Sequence, residues 1–391
     1  MSCMITIRLK SQGQGRVLSG HPWAFAGEIL PHRHSLADGD CAELYDAQGR
    51  LLGSGLWSGR SQIAWRRYSF ASRPFDEVFI AEALRKAVER RLPGRFRRLV
   101  WSEADHLPGL VVDQFDGVLA VQALTAGVDR ALPIITSWLS KNLGAEEIIL
   151  RNDAPSRVHD GLALGVRTLS GRLLSPDWFR IEGVEYLLDL AGGQKTGFYL
   201  DQREQHLRVA RLAQGRRVLD GFCNQGGFAL QAARMGASSV LAIDSSEDCT
   251  LAVARNASRN SLDERIRPLR ANMFDWFTQQ RAGRDGVVFD LIVLDPPPFA
   301  RNREAMDGAL RGYKEINLRA MHMLAPGGIL ATYSCSQRVN TGMFMGMLGE
   351  AAVDTRRTVR VLEVTGQPMD HPVLLNFPES HYLKGAILQV E

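Results

Sequence analysis

Arg217-Val218-Leu219-Asp220-Gly221-Phe222-Cys223-Asn224-Gln225-Gly226-Gly227-Phe228-Ala229-Leu230 reads as a buried strand ending in a carboxylate, a glycine-bearing turn and a helix start. A second strand, Ser239-Val240-Leu241-Ala242-Ile243, ends in Asp244. The two acids are 24 residues apart, the length of one strand–helix–strand unit. In such units a ligand sits at the carboxyl ends of the strands, near the helix N-terminus. An acid ending the second strand can accept from ribose hydroxyls. The loop argues against two ligand classes. Gly221-x-x-x-x-Gly226 runs on into Gly227-Phe228 instead of Lys-Ser or Lys-Thr, so no side chain can clamp phosphates, and a dinucleotide Gly-x-Gly-x-x-Gly is absent from the loop.

What remains is Asp-x-Phe-x-x-x-Gly-Gly, a loop with an acid in front of it. That acid repels pyrophosphate and suits a cationic ligand such as S-adenosylmethionine, although an ordinary glycine turn in an α/β sheet fits the same letters. Phe289 to Leu294 is another buried-strand run, and it leads into Asp295-Pro296-Pro297-Pro298-Phe299. Prolines directly after a strand forbid helix and hold the chain extended, a ledge on which Asp295 could hydrogen-bond a base and Phe299 could stack on it. Gly328 to Tyr333 reads as a strand ending in Ser334-Cys335-Ser336. A Cys and an Asp therefore follow two neighbouring expected strands on the ligand side.

These pieces, with Gly192-Gly193-Gln194-Lys195-Thr196-Gly197-Phe198-Tyr199-Leu200-Asp201-Gln202-Arg203, Asp370-His371-Pro372 and Phe377 to Gly385, resemble the bacterial 23S ribosomal RNA cytosine-5 methyltransferases of the large-subunit methyltransferase I family, nearly end to end. The resemblance implies an α/β fold: a doubly wound, Rossmann-like class I methyltransferase domain over 186–391, a PUA-like small β-barrel over 1–72 that binds RNA, and a central α+β domain over 73–185. It implies S-adenosylmethionine held by Lys195, Thr196, Gly197, Phe198, Asp220, Phe222, Gly226, Asp244, Asn272, Met273 and Asp295, and a helix from Asp201 with that residue as its N-cap. The chemistry it implies is covalent. A thiolate adds to carbon 6 of cytosine, carbon 5 takes the methyl, a base removes the proton, and the thiolate leaves. Cys335 suits the nucleophile and Asp295 the acid beside the ring nitrogen, whereas Cys223 suits a buried apolar role. The chain departs from the family at Asn272 (more often Asp), at Asn224-Gln225 (Tyr-Thr), and at Ser102-Glu103-Ala104-Asp105, where two glycines are gone. Pro298 stands where a neighbouring family places a second Cys, so the group that assists release is unnamed.

The remaining sequence sets bounds. A chain of 391 residues, 45% hydrophobic and 23% charged, can build two or three cores. Net charge is only +4, with six lysines among 47 cationic residues. Arginine suits phosphate forks, and a GC-rich genome yields the same bias. Five scattered cysteines show no zinc spacing, so no metal is expected. No signal peptide and no membrane-length apolar run are read in the sequence, so a cytoplasmic protein, with a homodimer left open, is expected. Residues 1–70 read as short strands broken by glycines, a small β-barrel pattern. Arg66 and Arg67 beside Trp65 are candidate phosphate contacts. In the middle segment Val78, Phe79, Ala83, Leu84, Ala87 and Val88 form a helical stripe, and Arg90, Arg91, Arg95, Arg97 and Arg98 a basic cluster that could face RNA. Two other classes fit the same letters: an N-methyltransferase on guanine or adenine, in which Cys335 only packs, and a non-catalytic RNA-binding or ribosome assembly protein.

Overall fold

The computed structural model describes residues 4–12, 15–31, 35–280, 288–299 and 306–391. Cys3 lies outside them. The chain divides into two units. Unit 1 holds residues 1–177, 188–200 and 369–380, and unit 2 holds 178–187, 201–368 and 381–391. No helix among the described residues is long and apolar enough to cross a membrane.

Unit 1 begins with β1 (Ile5–Arg8), α1 (Gly15–Leu18), β2 (Trp23–Phe25), β3 (Cys41–Tyr45), β4 (Leu51–Trp57) and β5 (Ile63–Ser69), which form a sheet of order β1-β3-β4-β5-β2. Alternation sends Ile7, Ala42, Leu44 and Trp65 into one small core. Gly55 must be glycine there, because a Cβ would come within 2.3 Å of the Trp65 ring. Next come α2 (Glu77–Glu89), β6 (Phe96–Trp101), β7 (Leu110–Phe115), β8 (Val118–Ala123), α3 (Ala126–Leu143), β9 (Glu147–Asn152) and β10 (Gly165–Thr168), with strand order β10-β9-β8-β7-β6. Asp76 caps α2 by accepting from the Phe79 N–H at 2.9 Å. The buried stripe of α2 runs through Ile80, and Val78, expected inside, is 71% exposed.

Of the basic cluster, Arg91 and Arg98 face inward, while Arg90 and Arg95 are exposed. The Arg91 guanidinium and Asp105 form a buried two-point pair, and Asp105 also accepts from the Trp101 N–H at 2.6 Å. Arg98 makes two 2.8 Å bonds to buried Asp113. Arg95 pairs with Asp116 and Arg97 bonds Gln114. Ser102 holds a left-handed φ of 46°. The acids of its loop are structural: Glu103 accepts from the Trp23 indole at 2.7 Å and from Arg66 at 3.2 Å.

The hairpin of β11 (Asp177–Ile181) and β12 (Val184–Leu188) leads into α4 (Arg203–Ala210), β13 (Arg217–Gly221), α5 (Gly227–Arg234), β14 (Ser239–Asp244), α6 (Glu247–Arg259), β15 (Ile266–Arg270), α7 (Met273–Gln279), β16 (Phe289–Leu294), α8 (Met306–Met323), β17 (Leu324–Ser334), α9 (Thr341–Thr355), β18 (Val359–Gly366) and β19 (Lys384–Val390). The sheet order is β15-β14-β13-β16-β17-β19-β18. The first five strands are parallel, and β19 runs antiparallel to both its neighbours. Continuous apolar runs such as Leu291 to Leu294 suit strands buried on both faces. The chain moves outward from β13 in opposite directions, to β14 and to β16, so the carboxyl end of β13 is a switch point where open α/β sheets bind ligands. One expectation fails here. Asp201 does not cap α4. Gln202 holds the N-cap position without a side-chain bond, and Asp201 accepts from the Tyr382 hydroxyl at 2.8 Å.

Removing one partner of a buried ion pair strands the other's charge. Asp105→Ala should therefore lower the unfolding free energy by about 3–5 kcal/mol in urea titrations. A loss below about 1 kcal/mol would show that Arg91 finds a replacement partner.

Candidate active site

Three acids and one thiol follow successive strand ends in unit 2. Asp220 lies near the end of β13 and Asp244 ends β14; Asp295 follows β16 and Cys335 follows β17. Asp220 is fully buried. One carboxyl oxygen accepts from the Ala229 N–H in the first turn of α5 at 2.9 Å, and the other has no hydrogen-bond partner among the described residues. Desolvation pushes its pKa up to about 8, and the charges of Asp295 and Asp244 add to the shift. A buried oxygen without a donor, among like charges, fits a cationic ligand.

The loop after β13 is shaped by left-handed residues: Phe222 at φ 65°, Asn224 at 48° and Gly226 at 85°. Asp244 holds it from below, accepting from the Asn224 N–H at 3.0 Å and the Ser246 N–H at 2.9 Å. Gly227 admits no side chain, since a Cβ would sit 2.3 Å from the His206 ring. Cys223 is buried, as its apolar reading expects. Met273 is buried with its sulfur beside Gly221. Asn272 caps α7, its side-chain oxygen accepting from the Phe274 and Asp275 N–H groups at 2.9 and 3.3 Å. That oxygen is engaged with the helix, which no spacing argument revealed.

On the other side of β13, the Asp295 N–H donates to the Gly221 carbonyl at 3.4 Å, tying the proline turn to the loop. The Cys335 thiol lies 3.9 Å from the Pro296 carbonyl, half-buried between fully buried Ser334 and Ser336. Ser336 is bonded to the Tyr313 hydroxyl at 2.9 Å. The Phe299 ring packs 4.5 Å from the Tyr313 ring and 5.7 Å from that of Phe274 (centroid distances).

The remaining expected site residues belong to unit 1. Lys195 has φ 51° and lays its ammonium over the Tyr199 ring at 4.2 Å. Thr196 is buried and donates to Asp113 at 2.6 Å, the carboxylate that also takes Arg98. Gly197 has φ 120°, and Phe198 is buried. Arg66 reaches Glu103 and lies 5.0 Å from the Trp23 ring centroid. Arg67 is buried against the Gly20 carbonyl and the Phe70 ring, and burial pushes its pKa down to about 10. Both guanidinium groups have intramolecular partners. The sequence reading also passed over Asp113 and the buried Lys384. A lysine opening an otherwise apolar strand was the available signal for the second.

Residues 7–70 match a PUA-like domain family, and residues 163–373 match the S-adenosylmethionine-dependent methyltransferase family. Ribosomal RNA large subunit methyltransferase I of Shewanella frigidimarina is 36% identical over 402 residues, spanning 99% of each chain. The protein of the same name from Salmonella arizonae is 37% identical, spanning 96% of this chain and 94% of its own. The chain belongs to the large-subunit methyltransferase I family. Among solved structures, an S-adenosylmethionine-dependent methyltransferase from Streptococcus mutans superposes with a TM-score of 0.82 at 18% identity, over 99% of this chain and 100% of its own. A methyltransferase complexed with S-adenosylhomocysteine gives 0.83 at 18% identity and the same coverage. Family membership makes S-adenosylmethionine the cofactor, and the orphaned, desolvated Asp220 oxygen is a feature of this fold that fits its positive charge.

Asp220 also sets a pH dependence. Its folded pKa is raised, so between about 4 and 8 the native state binds a proton that the unfolded chain lacks. That contribution is fully present below the unfolded pKa and is lost as pH rises to about 8. Asp220→Asn removes the term. The stability difference between Asp220→Asn and wild type should shift in favour of the variant by about 1.4 kcal/mol per pH unit between pH 5 and 8. Urea titrations at pH 5.5 and 7.5 without cofactor check this; parallel curves would mean that Asp220 is ionised in the folded protein.

Proposed function

We propose that the protein methylates carbon 5 of a cytosine in 23S ribosomal RNA through a transient Cys335 adduct. The names of the relatives support ribosomal RNA as the substrate. The observation that carries the chemistry is the half-buried Cys335 thiol 3.9 Å from the Pro296 carbonyl, at the rim of the acid-lined end of the sheet. The PUA-like module over 7–70 supports an RNA substrate.

In this reading Asp220 and Asp244 bind the cofactor, the first through charge and the second through the loop it holds and the ribose. S-adenosylmethionine supplies an electrophilic methyl on a cationic sulfur. Phe299 and the proline turn position the base, and Asp295 hydrogen-bonds its ring-nitrogen edge. The Cys335 thiolate adds to carbon 6, and its electron pair raises the density at carbon 5, which takes the methyl. Loss of the carbon 5 proton to a base returns electrons to the ring and expels the thiolate. An N-methyltransferase would use the same Asp-Pro ledge without a nucleophile, so the thiol decides between the two.

Cys335→Ser keeps the shape and removes the thiolate. Methyl transfer should fall by about three orders of magnitude or more while cofactor binding survives. RNA carrying 5-fluorocytosine at the target should trap the wild type covalently, because fluorine cannot leave as a proton does. An active serine variant with no trapped adduct would hand the case to amino-group methylation. Asp244→Ala should weaken S-adenosylmethionine binding by about 1.5–3 kcal/mol, the scale of a charged hydrogen bond. Unchanged calorimetric affinity would remove Asp244 from the site.

A further inference from the structure

Lys384 opens β19 directly opposite Ser334 on β17 and is 1% exposed. Its ammonium donates to the Ser336 carbonyl at 2.6 Å and the Tyr382 carbonyl at 2.8 Å. It therefore sits one residue along the chain from Cys335. Two neutral carbonyls solvate an ammonium without neutralising it, and lysine is almost never fully buried without a charged partner. Burial pushes the Lys384 pKa down to about 8, and the charge that pulls it back up is that of Cys335. Among the described residues, the charge that favours the buried ammonium is that of the ionised Cys335 thiol.

Among the described residues, the neighbouring tyrosines and histidine do not supply an anion. Tyr333 and Tyr313 are held in their neutral forms, chiefly by burial. His381, just before β19, is pushed down by burial and then by Lys384 itself.

We propose that Lys384 is a positioning residue for the nucleophile, its ammonium anchored on the Ser336 carbonyl and serving as counter-ion to the Cys335 thiolate. The step is an ionisation: the thiol gives its proton to solvent, sulfur keeps the electron pair, and Lys384 keeps its three protons. When sulfur bonds to carbon 6 its charge passes into the base, and when the thiolate is expelled the ion pair is restored. The counter-ion thus favours the free thiolate before addition and again at release. This deepens the adduct reading and rests on it for the use made of the thiol, whereas the ionisation is measurable without RNA.

The test is the pH profile of Cys335 alkylation by iodoacetamide on the full chain, read by peptide mass mapping. Wild type should show a midpoint below the ordinary thiol value of about 8.5. Lys384→Met, similar in length and uncharged, should raise it by about one unit or more, making alkylation about tenfold slower at pH 7. Lys384→Arg should keep it low. A Lys384 that only ties β19 to the end of β17 would change stability and leave the thiol profile where it was. Superimposable wild-type and Lys384→Met profiles overturn the proposal. If the methionine variant does not fold, the wild-type profile decides, and a midpoint at or above 8.5 overturns it. An active Cys335→Ser would sink the adduct reading while leaving this ionisation result intact, so the two failures are distinguishable.

Discussion

The carboxyl group of Asp220 sits where water does not reach, and the end of the unit 2 sheet is organised around that constraint. One oxygen is satisfied by the first turn of α5 and the other by none of the described residues. Two more acids act on it electrostatically, so its ionised form is disfavoured three ways. A neutral ligand would leave that penalty in place. A sulfonium or an ammonium would remove it, which makes selection for a cationic cofactor a consequence of desolvation more than of any one contact. The left-handed loop follows from the same placement. To bring the Ala229 N–H back onto Asp220, the chain must reverse within a few residues, and it does so through Phe222, Asn224 and Gly226.

How much of this was legible depends on the range of the interaction. The runs at Arg217, Ser239 and Phe289 announce themselves because parallel strands covered on both faces need unbroken apolar sequence. Strand-end acids are legible for the same reason: the periodicity locates the strand end, and the letter there is an Asp. Long-range claims on polar groups were not. Asp201 looks like an N-cap, but Tyr382 lies 181 positions away and takes its carboxylate. Thr196 sits in a motif that reads as ligand-facing, and its hydroxyl bonds a carboxylate 83 positions earlier. In each case a buried polar group needed a partner, and the partner was invisible to local pattern.

The arginines carry the same lesson with charge. Five of them within nine positions read as a nucleic-acid surface, because an isolated cluster of like charges would be one. In the fold each sits against an acid or an amide, and Arg91 and Arg98 are buried with carboxylates that are themselves buried. Arg91 and Arg98 thus belong to the buried network of unit 1, whereas Arg90 and Arg95 keep exposed side chains. Arg98 makes the point most sharply. Its partner Asp113 also receives the Thr196 hydroxyl, so one buried carboxylate joins β6, β7 and the Gly-Gly-Gln-Lys-Thr-Gly loop. Such a network tolerates no partial loss, since removing any member leaves a desolvated polar group. Phosphate recognition needs cations that keep a solvated face, and counting arginines along the sequence does not separate exposed Arg90 and Arg95 from the buried pair.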